Sequence, residues 1–75
     1  MKYLETNNII FCFDTDTGIT FIYVNNKWKI SKIGFHELEN QNLKQIKPLT
    51  EKEALIKTSG VSIKIIKNKI ISLLN

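Results

Sequence analysis

The chain has 75 residues, enough for one domain, and at that size only about 60% of the surface exposed by the unfolded chain can be buried, which keeps the core small. With 43% hydrophobic and 24% charged residues and a single Pro, Pro48, the composition excludes disorder as the default state. The net charge is +4 with no Arg, and the lone Cys12 and lone His36 exclude an intramolecular disulfide and a His/Cys metal centre.

The opening residues MKYLETNN carry no apolar signal-peptide core, and no later apolar run approaches the ~20 residues of a membrane span. A cytoplasmic location with no membrane partner is the expectation.

Residues 9–13, 19–24 and 27–33 are short, rich in β-branched and aromatic residues, and separated by turn chemistry, so each reads as a strand of an antiparallel meander. A two-residue turn at Asn25-Asn26 pairs Tyr23 with Trp28, Phe21 with Ile30 and Ile22 with Lys29. A five-residue loop over Asp14–Gly18 pairs Phe13 with Ile19, Phe11 with Phe21 and Ile9 with Tyr23. Directly opposed residues share a face. Together these registers predict one wholly apolar face of Ile9, Phe11, Phe13, Ile19, Phe21, Tyr23, Trp28 and Ile30, with Cys12 on the other.

Residues 34–47 are polar and read as a loop or one irregular helix with Phe35, Leu38 and Ile46 apolar. Thr50 as N-cap with Glu53 completing a capping box, and Gly60 as a stop, predict a helix over about residues 50–59. The final segment fits two templates. A helix puts Ile63, Ile66, Ile70, Leu73 and Leu74 on one arc, whereas a hairpin over residues 61–74 puts Val61, Ile63, Ile65, Ile71 and Leu73 on one face. β-branching favours the hairpin, while Ser62 as N-cap and the Leu-Leu-Asn ending favour the helix, which is the reading adopted. The fold class is therefore α+β in a single domain: a three-stranded meander over residues 9–33, an irregular connection over 34–49, and helices over 50–75 that cover the sheet.

Charge is segregated along the chain. Residues 1–40 hold four Lys against five acids, and residues 41–75 hold seven Lys against two. Ile, Lys and Asn supply 32 of the 75 residues, the bias of an AT-rich coding sequence, so codon usage accounts for part of the basicity.

Asp14-Thr15-Asp16-Thr17 after an apolar strand resembles the first motif of haloacid-dehalogenase-type phosphatases, whose first Asp attacks phosphorus and whose second serves as acid and base. That family places the nucleophile in a parallel, doubly wound sheet. Here the next strand arrives after five residues and must be antiparallel, so the motif reads as a turn whose Asp and Thr side chains cap amides and whose Gly18 takes positive φ. A calcium loop lacks its closing Glu, and nothing brings Cys12 and His36 together as nucleophile and base. Phe21, Tyr23 and Trp28 point away from Lys27 and Lys29 and read as core, not as a platform for single-stranded nucleic acid. No enzyme, cofactor or small-molecule substrate is expected.

One segment, residues 50–71, resembles the helix-turn-helix of excisionase-type DNA-binding domains: a helix, then Gly60-Val61-Ser62, then a second helix with Ile66 and Ile70 inward. The resemblance implies that Ile63, Lys64, Lys67 and Asn68 are presented near DNA and that Lys57 and Lys69 meet phosphates. The same residues are the candidate contacts for a protein partner or a homodimer. The functional expectation is a small binding protein acting by protein contact, an inhibitor or adaptor of the kind mobile elements encode, with a DNA-binding regulator as the alternative.

Overall fold

The computed structural model describes residues 1–40 and 46–73. In chain order these form β1 (Lys2–Thr6), β2 (Ile9–Asp14), β3 (Ile19–Val24), β4 (Lys27–Ile30), α1 (Phe35–Asn40), β5 (Lys47–Leu49), α2 (Glu51–Lys57) and α3 (Ile63–Ser72). Among the described residues the five strands make one antiparallel sheet in the order β4-β3-β2-β1-β5. The fold is α+β, and the expected meander forms one side of its sheet, β4-β3-β2.

Two strands extend that meander. β1 pairs with β2 through the turn Asn7-Asn8, whose φ values of 52° and 62° match those of Asn25 and Asn26, 54° and 63°. A two-residue hairpin turn of type I′ needs two positive φ values, and Asn meets them with less strain than most residues. β5 lies inside the connection read as irregular; it has three residues, with Pro48 opposite Leu4 at the outer edge, where a missing amide donor is tolerated. Residues 41–45 of that connection lie outside the described residues.

The β3–β4 register is the expected one, with Tyr23 opposite Trp28 and Phe21 opposite Ile30. The β2–β3 register is not: Asp14 lies opposite Ile19, Cys12 opposite Phe21 and Phe11 opposite Ile22. Asp14 belongs to the strand, so the loop has four residues, Thr15–Gly18, closed by the Gly18 amide donating to the Asp14 carbonyl at 2.8 Å. A one-residue slip reverses every side chain of β2. Ile10 and Cys12 therefore join Tyr3, Phe21, Trp28, Leu49, Ala54 and Ile63 in the main core, while Phe11 joins Leu4, Phe35 and Leu38 on the opposite side.

The sheet is thus apolar on both faces. α1 covers one, where the rings of Phe13 and Phe35 stack with centroids 5.3 Å apart and the Phe35 amide donates to the Thr20 hydroxyl. α2 and α3 cover the other. The capping box at Thr50 and Glu53 forms in both directions, as the sequence predicts.

Residues 63–72 are helix and not a hairpin strand. Their row of Ile63, Ile66 and Ile70 packs on a sheet that already presents an apolar face, and that burial overrides the β-branched preference for strand. Leu73, expected on the buried arc, is 81% exposed, and Leu74 lies outside the described residues. None of the described helices is long and apolar enough to cross a membrane.

Candidate functional site

The segment resembling a helix-turn-helix forms two helices around a turn fixed by its own backbone. Ser59 and Gly60 take φ of 55° and 80°, and the Gly60 amide reaches back to the Leu55 carbonyl at 2.7 Å, which satisfies a carbonyl left open at the end of α2. Thr58 is buried, and its hydroxyl donates to the Ala54 carbonyl at 2.8 Å. Ser62 stands at the N-cap of α3, but its side chain makes no capping hydrogen bond.

The sheet holds this turn from below. The Trp28 indole Nε1–H donates to the Val61 carbonyl at 2.9 Å, and the Tyr23 hydroxyl donates to the Thr58 carbonyl at 3.2 Å. Both aromatics come from the β3–β4 hairpin, where their rings meet edge to face at 5.3 Å. Buried polar ends of large aromatics seek such partners, and here the partners are two carbonyls of one turn.

The candidate contact residues separate into three groups. Ile63 is only 1% exposed and forms part of the core, so it presents nothing outward. Lys57, Lys64 and Lys67 are held by carboxylates of the same chain: Lys57 by Glu5 at 3.1 Å, Lys64 by Glu51 at 2.9 Å and Lys67 by Asp14 at 3.2 Å. Asn68 and Lys69 are exposed, and Lys69 makes no ion pair among the described residues.

These ion pairs differ in weight. Lys64 and Glu51 are about half exposed, and such a pair contributes roughly 0–1 kcal/mol and weakens with salt. The Asp14 side chain is 1% exposed and that of Lys67 is 19%. Burial pushes the Asp14 carboxyl up. Hydrogen bonds from the Thr17 hydroxyl, Lys67 and the Asp16 amide outweigh it and leave the group below the usual carboxylate range.

This network answers the question posed by Asp14 and Asp16. The Asp14 side chain does cap a turn amide, that of Asp16, the Thr17 hydroxyl caps that of Ile19, and Gly18 does take positive φ, at 75°. The second function of Asp14 was not legible: it is the buried partner of a lysine 53 positions later. Cys12 is fully buried, and burial pushes its thiol up to about 12. It faces the α2–α3 side, while His36 is an exposed residue of α1 on the other side of the sheet, so the two do not meet. Among the described residues no group of three or more His, Cys, Asp and Glu side chains could hold a metal ion.

One feature of this surface was missed in the sequence. On α3, Ile65, Lys69 and Leu73 follow at spacings of four and form one outward row. Ile65 and Leu73 are each 81% exposed. The spacing is present in the sequence, but the arc of Ile63, Ile66, Ile70, Leu73 and Leu74 counts Leu73 as buried and leaves out Ile71, which packs against the core.

Comparison with protein-family models, with curated protein sequences and with solved structures gives no match.

Proposed function

We propose that the protein is a non-enzymatic binding module that acts by contact with a partner protein, as an adaptor or inhibitor, through the outward row of α3. The observation that carries this reading is the fate of the lysines. Three of the four candidate lysines are paired with carboxylates of their own chain, which lowers the positive charge offered to a polyanion. What α3 offers instead is Ile65 and Leu73 in water with Lys69 between them. Exposed large apolar groups on one helix face suit a partner with an apolar groove and an acidic rim. A non-catalytic role draws support from the same geometry, since Asp14 is enclosed and paired and Cys12 is a buried, protonated thiol at neutral pH. A single buried free thiol suits a reducing, cytoplasmic setting.

The test uses the full chain. A photo-crosslinker at Asn68 should give a defined protein adduct in source cells, and Ile65→Glu combined with Leu73→Glu should abolish it while circular dichroism stays unchanged. Persistence of the adduct in that variant would remove α3 from the contact surface.

The alternative, a DNA-binding regulator, draws on one feature: the Gly60 turn and the exposed Asn68 and Lys69 keep the outline of a recognition helix. It requires a mobility shift on duplex DNA that weakens steeply between ~50 and ~200 mM salt. No shift at ~50 mM salt would eliminate it.

A further inference from the structure

Among the described residues β4 is an edge of the sheet, with β3 on one side and no strand on the other. The two-residue turn at Asn25-Asn26 makes Val24 and Lys27 a hydrogen-bonded pair, so Ile22 and Lys29 form the next one, and the Ser31 amide donating to the Thr20 carbonyl at 2.9 Å continues the alternation. The amides and carbonyls of Trp28 and Ile30 are consequently directed away from β3. They are the backbone groups a further strand would use. The other edge is poorer, because β5 has three residues and its middle one, Pro48, has no amide donor.

Beside the β4 edge, on the sheet face that carries α1, runs an open groove of about 350 Å³ lined by Phe11, Ile22, Ile30, Ile33, Lys29 and Lys32 among others. Its apolar floor continues the smaller core, where Ile22 packs against the buried cluster. The charged residues lining it are both lysines, and neither makes an ion pair among the described residues. Lys27 points to the same face as Lys29, two residues along the strand.

We propose that this groove and the β4 edge together take an extended segment of a partner protein with alternating acidic and apolar side chains, added as a sixth strand. The backbone groups of Trp28 and Ile30 supply the main-chain pairing. Because side chains alternate along a strand, the acids all fall on the α1 face, where they meet Lys27, Lys29 and Lys32 with their methylenes over the floor of Phe11, Ile22 and Ile33, and the apolar side chains turn to the opposite face beside Ile30. Charge selects this occupant over a second copy. Lysines on an edge strand oppose pairing with an equally basic strand, and two β4 edges set side by side would bring Lys27 and Lys29 of both chains together. An acidic strand turns the same lysines from a barrier into the attraction. The site lies across the sheet from α3 and is independent of the reading given for that helix; with both occupied, the protein bridges two partners, as an adaptor does.

The test is titration of the full chain with a blocked synthetic hexapeptide alternating Glu and Val, beside the same peptide with Lys for Glu. Nuclear magnetic resonance should show the Trp28 and Ile30 amides shifting and becoming protected from exchange with the Glu peptide. The Lys peptide should bind at least about tenfold more weakly, about 1.4 kcal/mol. Lys29→Glu with Lys32→Glu should reverse that preference, and since both side chains are exposed, the variant should keep its fold. Equal binding of the two peptides, no shift at ~1 mM peptide, or shifts confined to α3 would overturn the proposal. So would concentration-dependent dimerisation that protects Trp28 and Ile30 without peptide, because the edge would then belong to a second copy.

Discussion

Lys67 on α3 places its ammonium 3.2 Å from Oδ2 of Asp14 at the end of β2, so the last helix is tied to the second strand through a carboxylate that is 1% exposed. Losing one partner of such a pair leaves the other poorly solvated. Lys67→Met should cost about 3 kcal/mol, and Asp14→Asn about 1–3 kcal/mol because the amide keeps some of the turn hydrogen bonds. The sign of the pH dependence follows from the depressed carboxyl. Its stabilisation is present above the unfolded Asp value of about 3.9 and is lost as pH falls through the lower folded value. Melting temperature should therefore be flat near neutrality and fall below about pH 4, less steeply in Asp14→Asn.

The indole of Trp28 and the hydroxyl of Tyr23 hold two carbonyls of the α2–α3 turn. Tyr23→Phe removes one neutral hydrogen bond at a partly buried site and should cost about 1 kcal/mol in urea unfolding. Trp28→Ala removes the ring as well and should cost about 3–5 kcal/mol. If Tyr23→Phe left stability unchanged, the turn would be held by packing alone.

Gly18 has φ of 75°, and a Cβ built there meets nothing within 4 Å, so the cost of a side chain is conformational and not steric crowding by neighbours. A β-branched residue tolerates that region worst, and Gly18→Val should cost about 1–3 kcal/mol. Asp16, whose side chain is 86% exposed and 4.0 Å from Lys67, should change stability by less than about 0.5 kcal/mol on Asp16→Asn. Urea midpoints of the two variants test the ordering.

How far the sequence could be read follows from the range of each determinant. The β3–β4 register was legible because Asn25-Asn26 lies between its strands, and the capping box of α2 because Thr50 and Glu53 are three residues apart. Asn7-Asn8 carried the same turn signal as Asn25-Asn26, and with it β1, but the strand KYLET mixes charged and apolar residues. The β2 register failed because Asp14 has turn chemistry, and only its distant partner Lys67 shows why an Asp ends a buried strand. The ion pairs of the candidate lysines were hidden for the same reason. Charge segregated along the chain is mixed again in space, where Glu5 and Asp14 of the first half meet Lys57 and Lys67 of the second.

Cys12 provides a test of the reassigned β2 face. On the less apolar face expected from the sequence, its thiol would titrate near its ordinary value and react with thiol reagents in the folded state. In the structure it is fully buried beside Tyr3 and Phe21, and burial pushes it from 9.0 to about 12. A thiol whose folded value is raised contributes stability that is complete below the unfolded value and is lost as pH rises through the folded one. Stability should accordingly decline from about pH 9 toward pH 12, with Tyr3, also raised by burial to about 12, adding to the slope. Cys12→Ala should flatten part of that decline. At pH 8, labelling of Cys12 should be slow in buffer and should accelerate with urea in step with the unfolded population. Rapid labelling of the folded protein would restore the five-residue loop and the register that goes with it.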